Sequence, residues 1–324
     1  VSLSLLCLTG PTASGKEAAA AFLAESLGAE IVSADSMKIY RGMDVGTAKA
    51  SSADRARIPH HLLDVADPSE AWSVGRYVKE ADRAIDEVAS RGRVPLVVGG
   101  TPMWIKGLIE GIFEGPSADW AVRGELMDRA EREGAPALHA ELASVDPAAA
   151  RKIHPNDVRR TVRALEVLRL TGKPISEQQA EWGRRRSEYR ALLLCLRRDR
   201  DDLCRRVDAR VDRMFAAGLV DEVKRLLGAP GGMGRGARQA LGYREVIEHL
   251  EGKLNLAAAV DLVKQETRRF AKRQMTWFRS LGGLVWVDVA ADEPPARTAE
   301  RLEELAVRFL DQDDEETDGL GWAI

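Results

Sequence analysis

Residues 10–17 read Gly10, Pro11, Thr12, Ala13, Ser14, Gly15, Lys16 and Glu17. Glycine, four residues, glycine and lysine is the spacing of a loop that wraps phosphate. The glycines let backbone N–H groups turn inward, and the lysine brings a mobile positive charge. The pattern normally closes with Ser or Thr, whose hydroxyl meets a metal ion. Here Glu17 stands in that place. A carboxylate beside a bound phosphate has the wrong sign unless a positive group lies between them. Two readings stay open. Glu17 is an anionic oxygen ligand for Mg²⁺, or it turns outward on the first turn of a helix, where an acid suits the dipole.

Two more residues stand where chemistry is possible. Asp35 ends the apolar stretch 29–35. It is placed to accept a proton or hold a metal, and equally to cap a helix, with Ser36 as the alternative cap. Thr101 closes "VVGGT" (97–101). Its hydroxyl could donate to a leaving phosphate oxygen, although Gly-Gly-Thr is also an ordinary turn.

These residues need a scaffold that brings them together. The apolar run 3–8 leads straight into the phosphate loop and has no basic leader, so it reads as a buried strand rather than a signal peptide. Lys16 to Leu27 reads as a helix closed by Gly28, 29–35 as a second strand, 73–92 as an amphipathic helix and 93–101 as a third strand. Strand–helix–strand alternation predicts an α/β fold, a phosphate-loop core with a parallel sheet and covering helices. The loop, Asp35 and Thr101 then share the carboxyl edge of the sheet, where such folds bind ligands. From about 116 to 189 the pattern is helical only, with segments at 119–133, 136–144 and 156–171, so an all-helical insertion interrupts the core. A strand follows at 189–196, then helices over 200–228 and 243–280, a strand at 283–289 and a helix at 295–310. The Gly-rich stretch 228–243 reads as a mobile loop. The expected domains are a core of 1–115 and 190–310, the insertion 116–189, and a disordered acidic tail 311–324.

Composition narrows the function classes. The 324 residues are 45% hydrophobic and 31% charged, with a net charge of −3. No apolar run approaches the ~20 residues of a membrane helix. Cys7, Cys195 and Cys204 have no metal-site spacing and are odd in number, which fits structural thiols in a reducing compartment. The segment 311–318 carries six acids, and removing them takes the net charge from −3 to +3. Basic residues gather in the runs 151–163, 183–190 and 268–279, as expected for a polyanionic partner.

The blocks "GPTASGK", "VSADS", "YRGMDVGTAK", "PHHLLDVADPSE", "VVGGT", "FEGPSAD", "HPNDVRRTVRALEVLRLTGKP", "RVDRMFAAGLVDEV", "ARQALGYRE" and "AKRQMTWFR" occur in this order. Together they resemble the bacterial tRNA dimethylallyltransferase family, also called tRNA isopentenyltransferases, from about residue 5 to 310. The resemblance implies transfer of a dimethylallyl group from dimethylallyl diphosphate to N6 of the adenine just 3′ of the anticodon, in tRNAs reading codons that begin with U. It implies Mg²⁺ as cofactor and the anticodon stem-loop of tRNA as partner. A cytoplasmic, monomeric enzyme without a membrane partner is expected.

By the same resemblance Asp35 is the base that engages the amine, and Thr101 contacts the reacting region. The loop from Gly10 to Glu17 holds the diphosphate. Contacts to tRNA fall on Asp35, Ser36, Met37, Lys38 and Thr101, on Arg123, and on Arg159, Arg160, Thr161, Val162 and Arg163. They continue around Gly242, Tyr243 and Arg244. Lys272 and Arg273 are further candidates, while Trp277 and Phe278 in the same run either stack on bases or pack in the core. The chain departs from the family pattern in three places. Glu17 replaces Ser or Thr, Lys38 stands where Gln is common, and Pro102 and Trp104 replace Gly and Tyr. The rival functions are a small-molecule kinase, a prenyltransferase of free adenylate, and a tRNA-binding protein without activity.

Overall fold

The computed structural model of the chain describes residues 2–111, 115–179, 186 and 188–312. The acidic tail from residue 313, Phe113 and Glu114, and the start of the basic run 183–190 lie outside the described residues. Among the described residues six strands form one parallel sheet: β1 (Leu3–Thr9), β2 (Ala29–Ser33), β3 (His60–His61), β4 (Val94–Gly99), β5 (Tyr189–Arg197) and β6 (Leu284–Asp288). Their order is β3-β2-β4-β1-β5-β6. The fold is therefore the expected α/β phosphate-loop architecture.

Register aligns the strand ends that matter. Thr9 lies opposite Gly99 and Cys195, and Ser33 lies opposite Val98. The segments after β1, β2 and β4 thus leave the sheet at one edge. Gly99 is required at this crowded edge, because a Cβ there would fall 2.1 Å from the Ala34 carbonyl oxygen. The helix Lys16–Leu27 buries Ala20 and Leu23 in a cluster with Leu302, Ala306 and Phe309 of the helix Pro295–Leu310. On the helix Val74–Ser90, Tyr77, Ala81, Ile85 and Val88 are buried at the i, i+4 and i, i+3 spacings that make it legible.

The departures at 102 and 104 have packing explanations. Pro102 opens the helix Pro102–Glu110, where a missing N–H costs nothing. Trp104 is buried and stacks on Tyr77, with ring centroids 4.1 Å apart.

Elsewhere glycines divide what periodicity alone joins. The span 200–228 is two helices, Arg200–Ala216 and Leu219–Gly228, broken at Gly218 with φ +93°. The span 243–280 is likewise Tyr243–Leu250 and Leu256–Phe278. The Gly-rich stretch is packed rather than a free loop. It contains the helical turn Arg235–Arg238, Ala237 is fully buried, and Gly234 lies so close to Ser69 that a Cβ would come within 2.6 Å of its carbonyl oxygen.

The chain divides into two compact units, residues 1–109 with 187–324, and residues 110–186. The second is all helical among its described residues, with a core that includes Leu126, Leu138, Leu142, Val162 and Leu165. Asp119, Asp146 and Asp157 cap three of its helices through their carboxylates. No helix among the described residues is long and apolar enough to cross a membrane.

Candidate active site

The phosphate loop joins β1 to the helix Lys16–Leu27 with Gly10 at φ +151°, Ala13 at +64° and Gly15 at +95°. Among the described residues no side chain caps that helix. Its first N–H groups are therefore left for an anion. The loop is held from outside. Arg198 Nε donates to the Ser14 carbonyl (2.7 Å) and Arg206 Nε to the Ala13 carbonyl (2.9 Å). From the helix Leu256–Phe278, buried Gln274 accepts the Thr12 N–H at Oε1 (2.9 Å) and donates Nε2 to the Gly100 carbonyl (2.5 Å). One amide thus ties the phosphate loop to the end of β4. Gly100 makes room for it, since a Cβ would meet Gln274 Nε2 at 2.7 Å and Lys16 Nζ at 3.5 Å. Ser14 Oγ is buried without a hydrogen-bond partner among the described residues.

Asp35 and Thr101 come together at the ends of β2 and β4. Asp35 Oδ1 accepts the Met37 N–H (2.9 Å) in a turn, so Asp35 caps no helix. Thr101 Oγ1 accepts the Ser36 N–H (3.1 Å), and the Thr101 N–H donates to the Ala34 carbonyl (3.2 Å). Asp35, Thr101, Lys16 and Glu17 line one cavity of about 340 Å³. Met37, Val211, Met214, Val263 and Phe270 add apolar walls, and Arg210 and Arg273 add further cations. The volume suits a small ligand with a charged end and an apolar end.

Glu17 does not turn away from the site. Its Oε1 lies 3.0 Å from Lys38 Nζ and 3.5 Å from Lys16 Nζ. Burial alone would raise its pKa, but Lys16, Lys38 and Arg210 outweigh burial and hold the carboxyl well below the ordinary range. Burial lowers the Lys16 pKa, and Lys38 and Arg210 add to that, against the opposing pull of Glu17 and Asp35. The two departures from the family pattern at 17 and 38 are therefore in direct contact.

The tRNA candidates divide by exposure. In the helical unit Arg159 and Arg160 are exposed, whereas Thr161 and Val162 are buried in that unit's own interior and offer no side chain to a partner. Arg123 and Arg163 converge on fully buried Glu166. Arg123 makes two bonds of 2.9 Å and Arg163 one of 2.6 Å, with a second from Arg163 to the Pro116 carbonyl. In the other unit Tyr243 is fully buried, and its hydroxyl donates to Glu222 Oε1 (2.6 Å). Glu222 also accepts the N–H groups of Asp44, Val45 and Gly46, which fastens the segment after β2. Gly242 lets its N–H reach Glu245 Oε2 (2.8 Å), while Arg244, Lys272 and Arg273 are exposed. Phe278 is buried core and Trp277 is half-buried.

Mg²⁺ needs few protein ligands, because it keeps waters and takes phosphate oxygens. Among the described residues no group of three or more His, Cys, Asp or Glu is arranged to hold a metal. Asp35 and Glu17 nevertheless line the cavity and both act electrostatically on Lys16. This donor set fits an ion carried mainly by a diphosphate, not an all-protein cage.

Sequence comparison matches residues 38–281 to the IPP transferase family. The tRNA dimethylallyltransferase of Geobacter sulfurreducens is 50% identical over 89% of this chain and 93% of its own length. That of Anaeromyxobacter dehalogenans is 46% identical over 93% of this chain and 99% of its own. Among solved structures, the full-length tRNA isopentenylpyrophosphate transferase of Bacillus halodurans superimposes with a TM-score of 0.70 at 38% identity, covering 95% of this chain and 96% of that one. A eukaryotic dimethylallyltransferase acting on tRNA gives a TM-score of 0.80 at 28% identity, over 95% of this chain and 80% of that one.

Proposed function

The chain belongs to the IPP transferase family, and from that membership and its cavity we propose how it works as a tRNA dimethylallyltransferase. It transfers a dimethylallyl group to tRNA. The acceptor is N6 of the adenine 3′ to the anticodon, in tRNAs reading codons that begin with U. The observation that carries this reading is the meeting of a phosphate loop, a carboxylate and a hydroxyl in one cavity with apolar walls.

The diphosphate of the donor lies on the loop N–H groups and Lys16, and its short hydrocarbon group faces the apolar wall. N6 attacks the allylic carbon, the carbon–oxygen bond breaks, and diphosphate leaves. Asp35 takes the proton released from N6. Lys16 and the N-terminus of its helix offset the charge that develops on the leaving group. Thr101, held against Ser36, orients its hydroxyl toward the reacting region. Glu17 is the residue that would hold Mg²⁺, which would supply positive charge against the diphosphate. The adenine must leave its stack to enter, which is cheaper from a single-stranded loop than from a duplex. Arg159, Arg160, Arg244, Lys272 and Arg273 are exposed cations for the tRNA backbone. The tRNA substrate is the reason to place the enzyme in the cytoplasm.

The test is one incubation of the protein with labelled dimethylallyl diphosphate, Mg²⁺ and total bacterial tRNA, followed by nucleoside analysis. Label in N6-(dimethylallyl)adenosine, with release of diphosphate, is expected. Unlabelled tRNA, together with phosphate transfer from ATP to a small acceptor, would replace this reading with a kinase.

A further inference from the structure

Glu17 sets a physical problem that the proposed reaction does not solve. It follows Lys16 directly, and its carboxylate lies within 3.5 Å of the ammonium that serves the diphosphate. With no metal ion between them, an anion so placed weakens the very charge the donor needs and repels the donor itself. Lys38, 21 residues away and on the segment after β2, answers it. Its Nζ donates to Glu17 Oε1 at 3.0 Å, a closer contact than the one Lys16 makes to the same oxygen. The Lys38 side chain is 8% exposed and that of Glu17 39%.

Each partner needs the other. Without Glu17, Lys38 is a buried ammonium that loses its carboxylate. Without Lys38, only Lys16 and Arg210 offset Glu17, and its charge bears more heavily on Lys16 and on whatever anion the loop holds. The pair also stands in a wall. Glu17 borders both the cavity with Asp35 and a second cavity of about 360 Å³, which Lys38, Phe22, Ile31, Ile58 and His60 line. Lys38 does not line the first cavity. It is therefore on the far side of Glu17 from the reacting groups.

We propose that Lys38 is a positioning residue of the donor site: it neutralises Glu17 from behind, so that Lys16 and the phosphate loop stay available to the diphosphate. This deepens the prenyl-transfer reading and rests on it for the identity of the donor, though not for the anion. Lys38 is here a donor-site residue acting through Glu17, and not a contact to tRNA.

The experiment is a double-mutant cycle on the full chain. Binding of inorganic diphosphate is measured by calorimetry in metal-free buffer, and KM and kcat are measured with Mg²⁺ for dimethylallyl diphosphate and for tRNA. Lys38→Gln should weaken diphosphate binding roughly 10–100-fold and raise the donor KM, because an unscreened carboxylate then faces the anion. The KM for tRNA should move little, and Lys38→Arg should keep near-normal binding. Adding Glu17→Thr to Lys38→Gln should restore diphosphate affinity to within about threefold of the parent, since the repulsion is then gone. Equally weak binding by Lys38→Gln and by the double variant would overturn the proposal. So would loss of tRNA affinity with diphosphate affinity intact. Should Lys38→Gln fail to fold, Glu17→Thr alone decides: it must bind diphosphate at least as tightly as the parent, and weaker binding refutes the role. Wild-type turnover with tRNA runs beside these titrations. Its failure with the binding cycle intact would remove the prenyl-transfer reading and leave the pair standing.

Discussion

Each compact unit places a glutamate between cations, yet the two arrangements are opposites. In the helical unit Glu166 is fully buried and accepts Arg123 at both oxygens, Arg163 and the Asp119 N–H. Its lone pairs are spent, and the cluster is closed. In the α/β unit Glu17 is only partly buried and faces Lys16, Lys38 and Arg210, more positive charge than one carboxylate can cancel. That excess, beside a helix N-terminus that no described side chain caps, is what an anion would complete. A charge cluster with its valences filled holds a fold together, whereas one left positive and half open awaits a ligand.

The largest effect expected from breaking this contrast is at the open site. Asp35→Ala should reduce prenyl transfer by about 10²–10⁴-fold, the usual contribution of a general base. Diphosphate affinity should stay within a few-fold in the same titration. A rate loss under tenfold would take Asp35 out of the proton transfer.

The closed cluster should answer in stability. Glu166→Ala leaves two partly exposed guanidinium groups without their carboxylate, and the loss should fall below the about 3–5 kcal/mol of a fully buried pair. Hydrogen exchange should show the loss within residues 119–171 while diphosphate binding persists. An equal fall in diphosphate affinity would erase the distinction between the clusters. The same residue predicts acid sensitivity. Burial would raise its pKa, but the hydrogen bonds from Arg123 and Arg163 win, and the folded value lies below the ordinary 4.5. Its stabilisation is therefore complete above pH 4.5 and disappears as pH falls through the depressed folded value. Glu166→Ala should flatten that acid dependence.

The smallest effect is on an exposed cation. The Arg160 side chain is 68% exposed, with Asp157 at 3.5 Å. Arg160→Ala should lower tRNA affinity modestly and reduce the slope of log K against log salt by about 0.7–0.9 for one lost phosphate contact. An unchanged slope would place Arg160 outside the interface.

What was legible in the chain was whatever rests on neighbours in sequence. The phosphate loop, the strands before Asp35 and Thr101, and the helix closed by Gly28 are continuous patterns, and the structure has them. The clamps around the loop and the segment after β2 were not legible. Gln274 reaches Thr12 across 262 positions, Arg206 reaches Ala13 across 193, and Glu222 reaches Asp44 across 178. Nothing in an amphipathic helix marks one polar residue as the buried one that bridges two loops. Glu17 shows the same limit. Its local surroundings offered a metal or the helix dipole, and its partner Lys38 came from another element. Thr161 and Val162 were hidden for a different reason: a contiguous block of residues on a helix cannot all face outward.

Strand order also sets a timetable for synthesis. β1 pairs along its length with β5, and Ser4 and Arg190, which bond across them, are separated by 186 positions. At usual elongation speeds, the nascent β1 waits roughly 10–40 s for that neighbour. Residues 110–186 emerge entirely within the wait. Arg198, Arg206 and Gln274 follow later still, and Leu302 and Phe309, which cover the helix behind the loop, come near the end of the described chain. A ribosome-bound intermediate therefore carries the complete phosphate-loop motif for most of translation without the architecture that lets it hold an anion.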